Sequence, residues 1–69
     1  MQLEINDIVY YAFISEFRGK VKVRATIIDI YPALYNFTVF TEVSLRYEDL
    51  GDTITEHGID MNSPKITLN

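Results

Sequence analysis

Cysteine is missing from this chain of 69 residues. That excludes a disulfide framework and any thiolate-held metal. Glycine is scarce, and Gly19, Gly51 and Gly58 stand apart from one another. No glycine-rich loop can therefore cradle a phosphate. Histidine occurs once, as His57 beside Glu56 and Asp60. A metal site needs three or four converging ligands, so a solvated residue is expected there and no metal. A lone histidine in the C-terminal segment also argues against a Ser-His-Asp constellation. No apolar run reaches the roughly 20 residues of a membrane-spanning helix. The opening MQLEIND has neither the basic start nor the apolar core of a secretory signal. A cytoplasmic protein without cofactor is expected.

What is present is apolar and aromatic. The apolar fraction is 48%, with five Tyr and four Phe. A chain this short makes one domain, residues 1–69, and buries only about 60% of its unfolded surface. Without a disulfide, it needs a dense core or self-association.

Net charge is −4, which opposes non-specific nucleic-acid binding. The charge is unevenly spread. Arg18, Lys20, Lys22 and Arg24 are four of the six cations, and no acid interrupts them. Most acids fall in 42–60, against a single Arg46.

The pattern predicts an all-β protein. Ile8–Ile14 is β-branched and aromatic and too short for a typical helix. Lys20–Ile30 is a second run, and Tyr31-Pro32 is expected to break it. Tyr35–Thr41 and Val43–Tyr47 read as separate strands. Glu48–Gly51 reads as a turn, flanked by Asp49 and Asp52 as local caps. Ile54 starts a short strand, 56–69 form an irregular tail, and Lys65–Leu68 is a weak last strand within it. Asp7 opens a turn before the first strand. The sequon-like Asn36-Phe37-Thr38 is expected to lie within a strand.

The second run changes phase. Val21, Val23, Ala25 and Ile27 alternate with Lys20, Lys22, Arg24 and Thr26, as one buried and one wet strand face require. Asp29 then falls on the apolar face, while Ile28 and Ile30 fall on the polar one. A bulge or sharp bend near Thr26–Asp29 resolves the conflict and turns Ile28 and Ile30 inward. A long second strand so bent suits a small five-stranded barrel over about 6–55.

Four segments carry a resemblance. Asn6-Asp7-Ile8-Val9-Tyr10-Tyr11 resembles the G-D-x-V-x-A opening of Tudor-type domains. Arg24-Ala25-Thr26-Ile27-Ile28-Asp29-Ile30 resembles their R-A-x-V-x-x-I strand. Tyr35–Phe40 is similar to their Y-x-V-x-F strand, and Val43–Leu50 to their closing V-x-x-x-D-L. Asn6 departs from the family's glycine, and the D-Y-G turn is missing. The resemblance implies a strongly bent Tudor- or KOW-like barrel of the Src-homology-3-like kind. It also implies an aromatic cage, for which Tyr10, Tyr31 and Phe40 are the candidates. Tyr47–Thr53 is similar to the ending of short phage and mobile-element proteins of Gram-positive bacteria, which implies a phage origin and a host cytoplasm.

No residue pattern supports catalysis, so a non-enzymatic interaction module is expected. The aromatics outnumber the places in so small a core. Tyr10, Tyr31 and Phe40, with Arg18, Lys20, Lys22 and Arg24, are the expected partner-binding residues. The first reading is a protein partner, such as a host or defence protein for a phage-borne modulator. The second is nucleic acid held by residues 18–24. The third is a homo-oligomeric structural component. A solvated face paired with Glu4, Glu42 or Glu48 is the simplest alternative for the cation stripe.

Overall fold

A computed structural model describes residues 2–68. It is all-β: β1 (Ile8–Ser15), β2 (Gly19–Tyr35), β3 (Thr38–Asp49), β4 (Asp52–Asp60) and β5 (Ile66–Thr67). The five strands form one antiparallel sheet in the order β4-β3-β2-β1-β5. No ladder joins β4 to β5, so the hydrogen-bonded sheet is open. Among the described residues no helix is long and apolar enough to cross a membrane.

The first three connections are hairpins. β1 closes on β2 through Glu16–Arg18, with Gly19 at φ 73°. β2 meets β3 through Asn36-Phe37, at φ 48° and 63°. β3 meets β4 through Leu50-Gly51, at φ 51° and 84°. Two central residues with positive φ are the type I′ geometry, whose twist matches that of the flanking strands. The sequon-like triplet therefore lies at a hairpin tip, not within a strand.

Alternation along the ladders assigns two faces. Val9, Tyr11, Ala25, Ile27, Val43, Leu45, Tyr47 and Ile66 share the inner face and, with Leu3, make the buried core. Leu3 reaches that core from the segment before β1. The intervening residues form the outer face.

The phase change in β2 is a register shift between Ile27 and Asp29. Ile30 then packs against the core, as the sequence predicts. Ile28 does not: it is the residue left without a ladder partner, half-buried and outside the core. β4 carries a matching irregularity, because Val43 pairs with Ile59 but Leu45 with Glu56. The extra residue falls at His57-Gly58, where Gly58 has φ 75°. Both shifts lie level with Ser44, so the sheet bends along one line.

Three sequence expectations need correction. Pro32 does not end a strand, since β2 continues to Tyr35. The carbonyl of Thr41, its ladder partner, accepts Met61 N–H at 2.9 Å and so points toward β4. Pro32 therefore sits in a non-hydrogen-bonded pair, its nitrogen facing the side that β1 no longer covers. Next, Tyr35–Thr41 and Val43–Tyr47 are not two strands. Tyr35 ends β2, Asn36-Phe37 is the turn, and the rest is β3. Finally, residues 56–60 belong to β4, so the irregular segment is limited to the turns from Met61 to Lys65. The turn expected at Glu48–Gly51 narrows to Leu50-Gly51, because Glu48 and Asp49 still pair with Thr53 and Asp52, and the last strand forms over Ile66–Thr67.

Candidate functional site

The outer face changes character along β2. On its first half, register places Lys20, Lys22 and Arg24 outward, and all are exposed. Arg46 joins them from β3, exposed between the buried Leu45 and Tyr47. Arg24 and Arg46 line a common groove with Ile8, Thr26 and Glu48. Lys65 and Lys20 line another open hollow with Ala12 and Ile14. Tyr10 pairs with Arg24, and Lys22 Nζ lies 5.5 Å from the Tyr10 ring centre, a cation–π contact.

Arg18 does not belong to this face. It sits in the β1–β2 turn and is tied to Asp49 of β3. That is the only ion pair among the described residues. Lys20, Lys22, Arg24 and Arg46 therefore have no acid within ion-pair distance, and the expected pairing with Glu4, Glu42 or Glu48 is not made. The sequence stripe thus keeps three members and gains Arg46, which alternation in VSLRY marks as outward-facing.

The second half of β2 runs past β1 and forms a projecting arm with the start of β3. Its outer face holds Tyr31, Tyr35 and Phe40, with the acids Asp29, Glu42 and Asp60. The rings of Tyr35 and Phe40 are 6.1 Å apart. Glu42 is only 7% exposed, and its carboxylate holds the neighbouring Tyr35 phenol above its usual range. The Tyr31 hydroxyl accepts Gly58 N–H at 2.7 Å. Tyr35, Asn36, Thr38, Phe40, Glu42 and Asp60 line an open notch of about 350 Å³. Tyr31 and Phe40 thus come onto one surface. Tyr10 lies 21 residues before Tyr31 in sequence, and its ladder partner Arg24 is about 23 Å from Tyr31 at strand rise. The three rings do not make one cage. Tyr35, the ring that does meet Phe40, reads in the sequence as the first residue of a strand and not as a partner of Phe40.

Two further constellations lie elsewhere. On the inner face Glu56 accepts the Tyr11 hydroxyl at 2.7 Å and the Tyr47 hydroxyl at 2.6 Å. The Tyr11 ring lies 5.5 Å from Tyr47, and Phe13 lies 5.0 Å from Tyr47. Burial first, then the hydrogen bond and charge of Glu56, push Tyr11 up to about 12 and Tyr47 higher still. Such phenols are poor proton donors at neutral pH. At the bend, Ser44 Oγ and His57 Nδ1 are 2.7 Å apart. Ser44 is 1% exposed, so a substrate cannot reach its hydroxyl, and among the described residues no carboxylate orients the imidazole in the Ser-His-Asp manner. His57 is a strand residue and not part of a tail. Among the described residues no three His, Asp or Glu converge as a metal site would require.

Comparison with protein-family models, curated proteins and solved structures finds no match to this chain.

Proposed function

We infer that this chain is a non-enzymatic protein-interaction module whose binding surface is the outer face of the sheet. The observation that carries the reading is the set Lys20, Lys22, Arg24 and Arg46, exposed on one face without an acidic partner among the described residues. Charges left open in this way suit an acidic surface on another molecule, where complementarity sets specificity and association rate. Ile8 and Ile14 are exposed beside them, Ile14 at 78%, and add apolar area that a phosphate backbone cannot use. A protein surface therefore fits better than nucleic acid.

A barrel-like architecture is part of the same reading. Three inter-strand spacings separate β1 from β4, about 14 Å in a flat sheet. The Tyr11 hydroxyl nevertheless reaches Glu56 at 2.7 Å, which supports a strongly curled sheet related to small open barrels. The Tudor- or KOW-like resemblance and a phage origin stay within this proposal. So does a host or defence protein as the partner.

Nuclear magnetic resonance shift mapping tests the reading. The probe is a short synthetic peptide of Glu, Asp and Leu, titrated at physiological salt. The shifts are expected on Tyr10, Lys20, Lys22, Arg24 and Arg46. Changing the four cations to Gln should remove them while the spectrum keeps its dispersion. Shifts confined to other surfaces, or none, overturn the proposal.

A further inference from the structure

We propose that the aromatic and acidic notch of the hairpin arm receives the cationic outer face of a second copy of this chain, in a head-to-tail contact. This rests on the reading of the outer face given above and names one partner for it.

The contact is argued from charge and distance. The arm half of the outer face carries Asp29, Glu42 and Asp60 and no cation. The other half carries Lys20, Lys22, Arg24 and Arg46, with Glu48 the one acid among them. Ala33, the ladder partner of Phe40, lies 11 residues beyond Lys22 on the same strand, about 36 Å along the backbone. Lys22 therefore does not reach the notch of its own chain, whereas the notch of a second copy is open to it. A lysine or arginine entering the notch would lie against the Tyr35 and Phe40 rings and near the carboxylates of Glu42 and Asp60. Rings and carboxylates both favour a cation there.

Shape and size agree with a head-to-tail arrangement. The cations of the outer face are long, exposed side chains, and an open notch of about 350 Å³ is a natural counterpart for one of them. The molecule measures 37 × 24 × 20 Å, and one end of it offers less than the ~800 Å² per partner of a standard interface. The contact is accordingly weak and concentration-dependent. A head-to-tail contact also repeats, so chains longer than a dimer are expected at high concentration.

Light scattering after size exclusion, across a wide concentration range, reads this out. The mean mass should rise from the 8.0 kDa of one chain as concentration increases, and added salt should lower it again. Lys22→Glu with Arg24→Glu removes the donor face, and Phe40→Lys blocks the notch. Each variant alone should stay at one chain's mass. Their equimolar mixture should form a dimer and nothing larger, since only one functional face and one functional notch remain. Asp60→Asn keeps an acceptor for the Asn62 amide and serves as the milder notch variant. It should weaken association without altering the spectrum. A wild type that stays at 8.0 kDa at all concentrations overturns self-docking. So does undiminished association by the variants. If the chain is monomeric yet the acidic peptide still binds, only the second copy is excluded. If neither associates, the outer-face reading falls with it.

Discussion

Glu56 shows how one side chain can close a small core. The residue sits on the inner face, paired with Leu45, where a carboxylate would be costly without partners. Tyr11 and Tyr47 supply them, one hydroxyl to each carboxylate oxygen. Removing either hydroxyl should cost about 1.5–3 kcal/mol in urea unfolding, the scale of a hydrogen bond to a charged group. Tyr11→Phe and Tyr47→Phe should not add, because both act through Glu56. Additive losses would mean that the two phenols act independently. The raised phenols also fix an alkaline limit. Tyr11 goes from 10.0 in the open chain to about 12 in the fold, so the fold prefers its protonated form. The stability it contributes is complete below pH 10 and is lost as pH rises toward 12. Unfolding midpoints should fall across that window, and less steeply in Tyr11→Phe. The sequence does hold the signal for this trio, since Ile54 and Glu56 are in phase. It was obscured because His57-Gly58 looks like the start of a tail, and the bulge that lets β4 continue cannot be seen without the pairing strand.

At the scale of elements, the second strand was readable and its end was not. Alternation from Val21 to Ile27, then its failure at Asp29, locates the bulge from side-chain chemistry alone. Pro32 misleads because a proline's effect depends on which edge its nitrogen faces, a property of the sheet and not of the strand. Asn36-Phe37 misleads for a related reason: a β-branched and aromatic segment hides a turn when no glycine marks it. Phe37 occupies φ 63° and is 100% exposed. A bulky residue there is strained, by about 1 kcal/mol or more, and it buries nothing in return. Phe37→Gly should therefore raise stability by about 1 kcal/mol, or roughly 4–8 °C in Tm for a domain of this size. A lower Tm would show that the ring packs in solution against something absent from the monomer. The same calorimetry on a concentrated sample would then shift with concentration.

For the whole molecule, the balance of charge decides between partner classes. A net charge of −4 surrounds the cationic half with a repulsive field for any polyanion. Lys20, Lys22 and Arg24 stand about 6.8 Å apart along the strand, so the row can meet several phosphates of a duplex. If those three and Arg46 each met one phosphate, the log–log salt slope would be about −3.6. That attraction is confined to one half of one face, and the single ring beside it, Tyr10, already lies against Lys22. Single strands need successive rings on which bases can stack, and this face does not present them. Binding to DNA or RNA at physiological salt should thus be absent or weaker than about 10 μM, within the non-specific range. Fluorescence anisotropy with a labelled duplex and a labelled single strand checks this. Tight binding with a steep salt slope, lost when the four cations become Gln, would make nucleic acid the partner. In that event Asp29, Glu42 and Asp60 would have a different task, turning the polyanion away from the arm and confining it to the cationic half.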